Sequence, residues 1–166
     1  YLFFFAIASR FQSHLIDRKF KPQKQHRFLV LFPAYKEDRV IISSVRSFLQ
    51  QDYPQELFDI IVISDQMQDT TNDALRSLPI RLLIADYKES SKAKAMTMAM
   101  NAIKEKPYDV VAIMDAYNLT SPDFLAEVNR AFDSGLQSIQ AHRTGKNLNT
   151  AISVLDGISE EINNGI

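Results

Sequence analysis

Two kinds of segment alternate along the chain. In one kind, apolar residues cluster in short runs: Phe-Leu-Val-Leu-Phe at 28–32, closed by Pro33, then 60–63, Arg81-Leu82-Leu83-Ile84 and 110–114. The first two suit buried strands, as in a parallel sheet, and the other two read as a third and a fourth strand. In the other kind, apolar residues recur at helical spacing. Ile41, Ile42, Val45, Phe48 and Leu49 share one face of a helix that Tyr53-Pro54 ends. Thr70 to Leu78 reads as a short helix stopped by Pro79, and Ser90 and Ser91 can cap a helix from about Lys92 to Lys104. Ser121-Pro122-Asp123 has the order of a helix start, and that helix runs to about Phe132, ahead of Gly135. A fifth strand is expected at Ser138 to His142 and a last helix at Ser153 to Ile162. Strands alternating with helices predict an α/β fold: a Rossmann-like, mainly parallel, doubly wound sheet with helices on both faces.

Composition removes several classes of function. The chain has 166 residues, 46% hydrophobic and 23% charged, with a net charge of −1. It is large enough for one α/β core, and its charge does not suit a nucleic-acid binder driven by bulk electrostatics. Without cysteine there is no disulfide scaffold, thiolate zinc site or cysteine nucleophile. All four glycines lie at or beyond Gly135, so neither a Walker A loop nor a G-x-G-x-x-G turn comes after the first strand. The scattered His14, His26 and His142 form no H-E-x-x-H helix, and there is no G-x-S-x-G elbow.

Charge is uneven along the chain. Residues 1–27 carry six basic residues and one acid, whereas the rest is acidic on balance. Tyr-Leu-Phe-Phe-Phe-Ala-Ile-Ala opens the sequence without a charge. It is too short to span a bilayer alone, which takes roughly 20 apolar residues. The expectation is the end of a span belonging to a longer protein, with the basic segment marking the cytoplasmic side. The alternative is an amphipathic helix on a membrane surface or packed on the domain. Residues 1–26 are therefore set apart from a domain at 27–166.

Ligands of doubly wound sheets bind beyond the carboxyl ends of the strands, at the point where strand order reverses. Each predicted strand runs into polar residues. Pro33-Ala34-Tyr35-Lys36-Glu37 comes after the first, and Ser64-Asp65 leads to Asp69-Thr70-Thr71 after the second. Ser91-Lys92-Ala93-Lys94-Ala95-Met96 comes after the third, and Met114-Asp115-Ala116-Tyr117-Asn118 closes the fourth. Four such motifs in this order and spacing, over about residues 27–145, resemble the nucleotide-sugar half of a family 2 glycosyltransferase with the GT-A fold. The processive or membrane-attached bacterial members are the most similar.

The resemblance implies roles. Asp65 would accept the imide N–H of uracil, although Asp65 and Asp69 could also cap the next helix, the better reading for Asp69. Pro33, Ala34 and Tyr35 would border base and ribose, and Glu37 would accept from a ribose hydroxyl. Lys92 lies where the helix dipole opposes a cation, as does Lys94. A bound phosphate would resolve that conflict, and two solvated lysines are the plain alternative. Where the family has glycines around this lysine, Ser91 and Ala93 stand here. Asp115 with Ala116 would sit at the ribose–diphosphate–metal junction, with Mg²⁺ or Mn²⁺ bridging phosphate oxygens. The family's D-x-D reads Asp115-Ala116-Tyr117 here, and a neutral phenol is a poor ligand for a hard cation, so Asn118 is the candidate second ligand. Asp115 as a turn cap remains the other reading.

The same resemblance sets further expectations. The reaction would move a sugar, with inversion, from a nucleotide donor, UDP being the expected carrier, to a glycan or lipid-linked acceptor. The enzyme would be membrane-attached with its catalytic domain on the cytoplasmic side. The later acidic motif that carries the general base and the Q-x-x-R-W element are absent, and there is no tryptophan. Little or no transfer is therefore expected from these residues alone. Asn118-Leu119-Thr120 fits a glycosylation sequon by chance, and His142 to Lys146 reads as a solvated loop. A non-catalytic nucleotide-sugar-binding or scaffold domain is the rival function. A nucleotidyltransferase is disfavoured for want of a glycine-rich loop after the first strand.

Overall fold

A computed structural model describes residues 20–103 and 107–141. They fall into two units by contact: residues 23–129, and a second unit of which residues 20–22 and 130–141 are described. The basic N-terminal stretch up to residue 19, His142 to Lys146 and the expected last helix lie outside the described residues. Among the described residues no helix is long and apolar enough to cross a membrane.

The unit at 23–129 is built on four parallel strands: β1 (Phe28–Tyr35), β2 (Phe58–Asp65), β3 (Arg81–Ala85) and β4 (Val110–Ile113), in the order β3-β2-β1-β4. Helices α1 (Ile41–Phe48), α2 (Asp69–Arg76) and α3 (Lys92–Ala102) connect them, and α4 (Phe124–Asp133) comes after β4. The expected α/β fold with a mainly parallel sheet and helices on both faces is the one observed. Among the described residues the expected fifth strand does not form, since residues 138–141 carry no strand.

The unbroken apolar runs divide into two faces because successive side chains of a strand point to opposite sides. Phe28, Val30 and Phe32 join Ile60 and Val62 on one side, with Ile41, Val45 and Phe48 of α1, Leu75 of α2 and Leu125 of α4. Leu29, Leu31, Ile61 and Ile63 face the other side, against Ala95 and Ala99 of α3. The small alanines let α3 lie close on the sheet. The first face is aromatic: the Phe48 ring meets those of Phe32, Phe58 and Phe124 edge-on, at centroid distances of 5.7, 6.4 and 5.9 Å.

Three boundaries differ from the sequence expectation, each for a tertiary reason. β1 runs through Pro33 to Tyr35, because β4 pairs with it only as far as Leu31. Past that point one side of β1 is open, where a residue without an N–H is tolerated. α4 begins at Phe124 rather than at Pro122. Its Leu125 N–H is satisfied by Gln51 Oε1 at 2.9 Å, while Gln51 Nε2 donates to the Ser121 carbonyl at 2.7 Å. α2 begins at Asp69 and its N-cap, Gln68, makes no side-chain capping bond, so Asp69 is not the cap expected of it. The partner comes from elsewhere: Asp38 Oδ1 accepts from the Gln68 N–H at 2.8 Å and from the Thr71 hydroxyl at 2.7 Å.

Those two bonds, the Thr71 one first, hold the Asp38 carboxyl below its usual range. The ionised form therefore stabilises the fold above the ordinary aspartate value of about 3.9, and that contribution is lost as pH falls through the depressed folded value. In urea unfolding, wild type is more stable than Asp38→Asn at pH 7, and the gap closes in acid. An equal gap at both pH values would mean that the ionised carboxylate is not what ties the two loops together.

Candidate functional site

Parallel strands joined by helices all end at one edge of the sheet, and the strand order reverses between β1 and β4. An open cleft of about 600 Å³ lies at that edge, within the range of about 300–1,000 Å³ usual for small-molecule sites. All eight residues expected to bind a donor line it. Pro33, Ala34, Tyr35 and Glu37 come from the end of β1, Asp65 from the end of β2, Lys92 from the start of α3, and Asp115 and Ala116 from beyond β4. Asn118 is not among the lining residues. Its N–H donates to the Asp115 carbonyl at 3.0 Å and tightens the turn, while Tyr117, 54% exposed, faces the cleft.

Asp65 is the buried carboxylate of the cleft. It is only 4% exposed, and its Oδ1 accepts the Ser90 hydroxyl at 3.0 Å. Its carbonyl accepts the Lys36 N–H at 3.1 Å, which pins the β1 loop to the end of β2. The alternative of a helix cap is thereby removed for Asp65: its side chain is engaged by Ser90 and lines the cleft. Lys36 and Gln66, the residues just past β1 and β2, both take left-handed backbone, with φ of 55° and 54°. That conformation costs a non-glycine residue about 1–2 kcal/mol, and with no glycine before Gly135 the two loops have no cheaper way to turn.

The start of α3 brings a lysine to the cleft. Ser91 caps α3, its Oγ accepting the Lys94 N–H at 3.2 Å, as the sequence predicts. Of the two lysines in the first turn, Lys94 turns away, donating to the Glu89 carbonyl at 2.7 Å and lying over the Tyr87 ring at 5.7 Å. Lys92 lines the cleft and pairs with Asp115, Nζ to Oδ1 at 2.7 Å. A helix N-terminus beside an ammonium is a favourable seat for an anion. The cleft thus offers a carboxylate acceptor and an anion seat, with Tyr35 and Tyr117 also among its lining residues.

The fit to a divalent cation is narrow. Among the described residues no three His, Asp or Glu side chains converge on one point. In the cleft Asp115 shares an oxygen with Lys92. This set fits a Mg²⁺ or Mn²⁺ that takes most of its oxygens from a bound diphosphate and water, and one from the protein. It does not fit an ion held by these residues alone.

Sequence reasoning missed Gln66, Lys88, Glu89 and Ser90 as lining residues. Ser90 stands next to the Ser91 cap and reads in the sequence as part of it. Nothing in the spacing of β2 and α3 marks it as a partner of Asp65.

Relatives agree with this architecture. Over 94 residues the chain is 30% identical to the "Probable glycosyltransferase YdaM" of Bacillus subtilis (strain 168), covering 54% of this chain and 22% of that protein. Over 98 residues it is 24% identical to a dolichyl N-acetyl-alpha-D-glucosaminyl phosphate 3-beta-D-2,3-diacetamido-2,3-dideoxy-beta-D-glucuronosyltransferase of Methanococcus voltae, covering 58% of this chain and 30% of that one. The chain thus spans less than a third of the length of either relative. Among solved structures, it superposes with a TM-score of 0.60 on the mannosyltransferase PcManGT from Pyrobaculum calidifontis in complex with GDP-Man and Mn²⁺. That match is 24% identical and covers 78% of this chain and 39% of the other. S. aureus TarS 1-349 in complex with UDP superposes with a TM-score of 0.57 at 17% identity, covering 76% of this chain and 43% of the other. At these identities the structural likeness is one of fold. A family model described as "Glycosyltransferase like family 2" matches residues 26–162, most of the sequence, and the chain belongs to that family.

Proposed function

We propose that this chain carries the donor site of a glycosyltransferase that takes a UDP-linked sugar and transfers it with inversion to a glycan or lipid-linked acceptor. One observation carries the reading. A buried acceptor (Asp65), an anion seat (Lys92 at the α3 N-terminus) and a junction carboxylate (Asp115) line a single cleft at the strand-order reversal. Asp65 accepts the imide N–H of the base, Pro33, Ala34 and Tyr35 border base and ribose, and Glu37 accepts from a ribose hydroxyl. Lys92 meets the diphosphate, and Asp115 with Ala116 lies where ribose, diphosphate and cation meet. In the transfer the acceptor oxygen bonds to the anomeric carbon as the bond to the diphosphate breaks, and the acceptor proton passes to a general base outside these groups. Neutralising the departing diphosphate is what a bound Mg²⁺ or Mn²⁺ supplies, with Asp115 as its protein ligand. Residues 27–166 act as the donor domain, and residues 1–26 join it to the cytoplasmic face of a membrane where polysaccharide is built.

Isothermal titration of the full chain with UDP, with and without Mn²⁺, tests this. The expected result is saturable UDP binding that Mn²⁺ tightens about tenfold or more, roughly 1.4 kcal/mol, with Mn²⁺ alone binding only weakly. No UDP binding overturns the reading. Binding indifferent to Mn²⁺ favours a non-catalytic nucleotide-sugar-binding domain, a reading supported by Tyr117 in the second D-x-D position and by the ammonium already on Asp115.

A further inference from the structure

Uracil and guanine present different donors to a carboxylate. Uracil offers one imide N–H flanked by two carbonyl oxygens, whereas guanine offers N1–H and N2–H side by side. A carboxylate with both oxygens open can take the guanine pair bidentately, in the manner of its pairing with arginine. A carboxylate with one oxygen already engaged keeps one fully open oxygen, which suits a single donor, and a second donor has to share the engaged oxygen.

Asp65 has one oxygen engaged. Ser90 Oγ stands 3.0 Å from Oδ1, and among the described residues Oδ2 has no hydrogen-bond partner although the residue is 4% exposed and lines the cleft. The direction of the Ser90 hydroxyl is set by Gln66, which also lines the cleft. Gln66 Nε2 donates to Ser90 Oγ at 3.3 Å, and Gln66 Oε1 in turn accepts the Tyr35 hydroxyl at 3.4 Å. With a lone pair committed to Gln66, the Ser90 proton points to Asp65.

We infer that Ser90 is a specificity-determining residue: by holding one oxygen of Asp65, it makes the donor site accept uracil and reject guanine. The inference rests on the reading of Asp65 as the group that meets the base. Guanine bound beside this pair has to share Oδ1 between its second donor and Ser90, a weakened contact that corresponds to a discrimination of about tenfold. Ser90 acts through Asp65, so it is a positioning residue, and Gln66 supports it in turn.

The experiment is a titration of the full chain with UDP and GDP at fixed Mn²⁺, comparing wild type, Ser90→Ala, Ser90→Thr and Asp65→Ala. Wild type is expected to bind UDP about tenfold tighter than GDP. Ser90→Ala opens the second oxygen and brings the ratio down severalfold, mainly through tighter GDP binding, a gain that a merely structural loss would not produce. Ser90→Thr keeps the hydroxyl and the wild-type ratio. An unchanged ratio in Ser90→Ala, with UDP binding still dependent on Asp65, overturns the role of Ser90 alone. UDP binding that survives Asp65→Ala undiminished overturns the reading of Asp65 beneath it.

Discussion

Asp65→Ala is expected to weaken UDP binding by about 10- to 100-fold, the loss of one hydrogen bond to a charged group at about 1.5–3 kcal/mol. The effect is large because Asp65 itself is buried, at 4% exposure, so the acceptor it offers is shielded from competing water. The bond lost is charge-assisted, which roughly doubles its strength over a neutral one. Titration of wild type and variant with UDP measures the change directly. Asp69→Ala is the control, since Asp69 lies in the first turn of α2 and does not line the cleft. Its affinity stays within about twofold of wild type, surface substitutions of this kind being worth about 0.5 kcal/mol or less. Equal affinities in wild type and Asp65→Ala would show that the base lies elsewhere.

Phe48→Ala is expected to cost about 3–5 kcal/mol of folding stability. A whole domain is stable by only about 5–15 kcal/mol, so this one truncation removes a large share. Phe48 is 1% exposed and stands where β1, β2, α1 and α4 meet, its ring edge-on to Phe32, Phe58 and Phe124. The cavity left behind is walled by a strand pair on one side and helices on the other, and neither can collapse into it without losing register. Urea unfolding gives the difference, and Phe48→Leu, which keeps most of the volume, should lose clearly less. Phe48 does not line the cleft, so UDP affinity measured where the variant is still folded stays near wild type. A loss below about 1 kcal/mol would place this ring outside the core.

The strands were legible because their apolar residues cluster in short runs, and the helices because their apolar residues recur at helical spacing. α3 forms nearly as expected, since Ser91 is a local cap whose bond to the Lys94 N–H needs nothing from the rest of the chain. The α2 start differs for the opposite reason. Asp69 has a capping side chain in a capping neighbourhood, yet Asp38 reaches over from the loop after β1 and takes the two donors first. Likewise Gln51, a polar residue just past α1, satisfies the start of α4 from 74 positions away. The expected fifth strand shows the limit of short apolar patterns, for residues 138–141 carry no strand in the described structure.

The candidate site divides along the same line. That each strand would run into polar residues, and that Asp65, Lys92 and Asp115 would be among them, is a property of sequence order in a parallel sheet, where every strand ends at one edge. Which of those residues face each other is not. The turn of Lys94 toward Glu89, the pairing of Lys92 with Asp115, the withdrawal of Asn118 from the cleft and the grip of Ser90 on Asp65 emerge only once the chain is folded. The elements, their order and the chemistry delivered to the sheet edge follow from periodicity and local composition. The partners and the open oxygen of Asp65 come from the folded chain. Hydrogen-bond partners are chosen by distance and direction in space, and in this sheet strands β1 and β4, far apart in sequence, lie side by side.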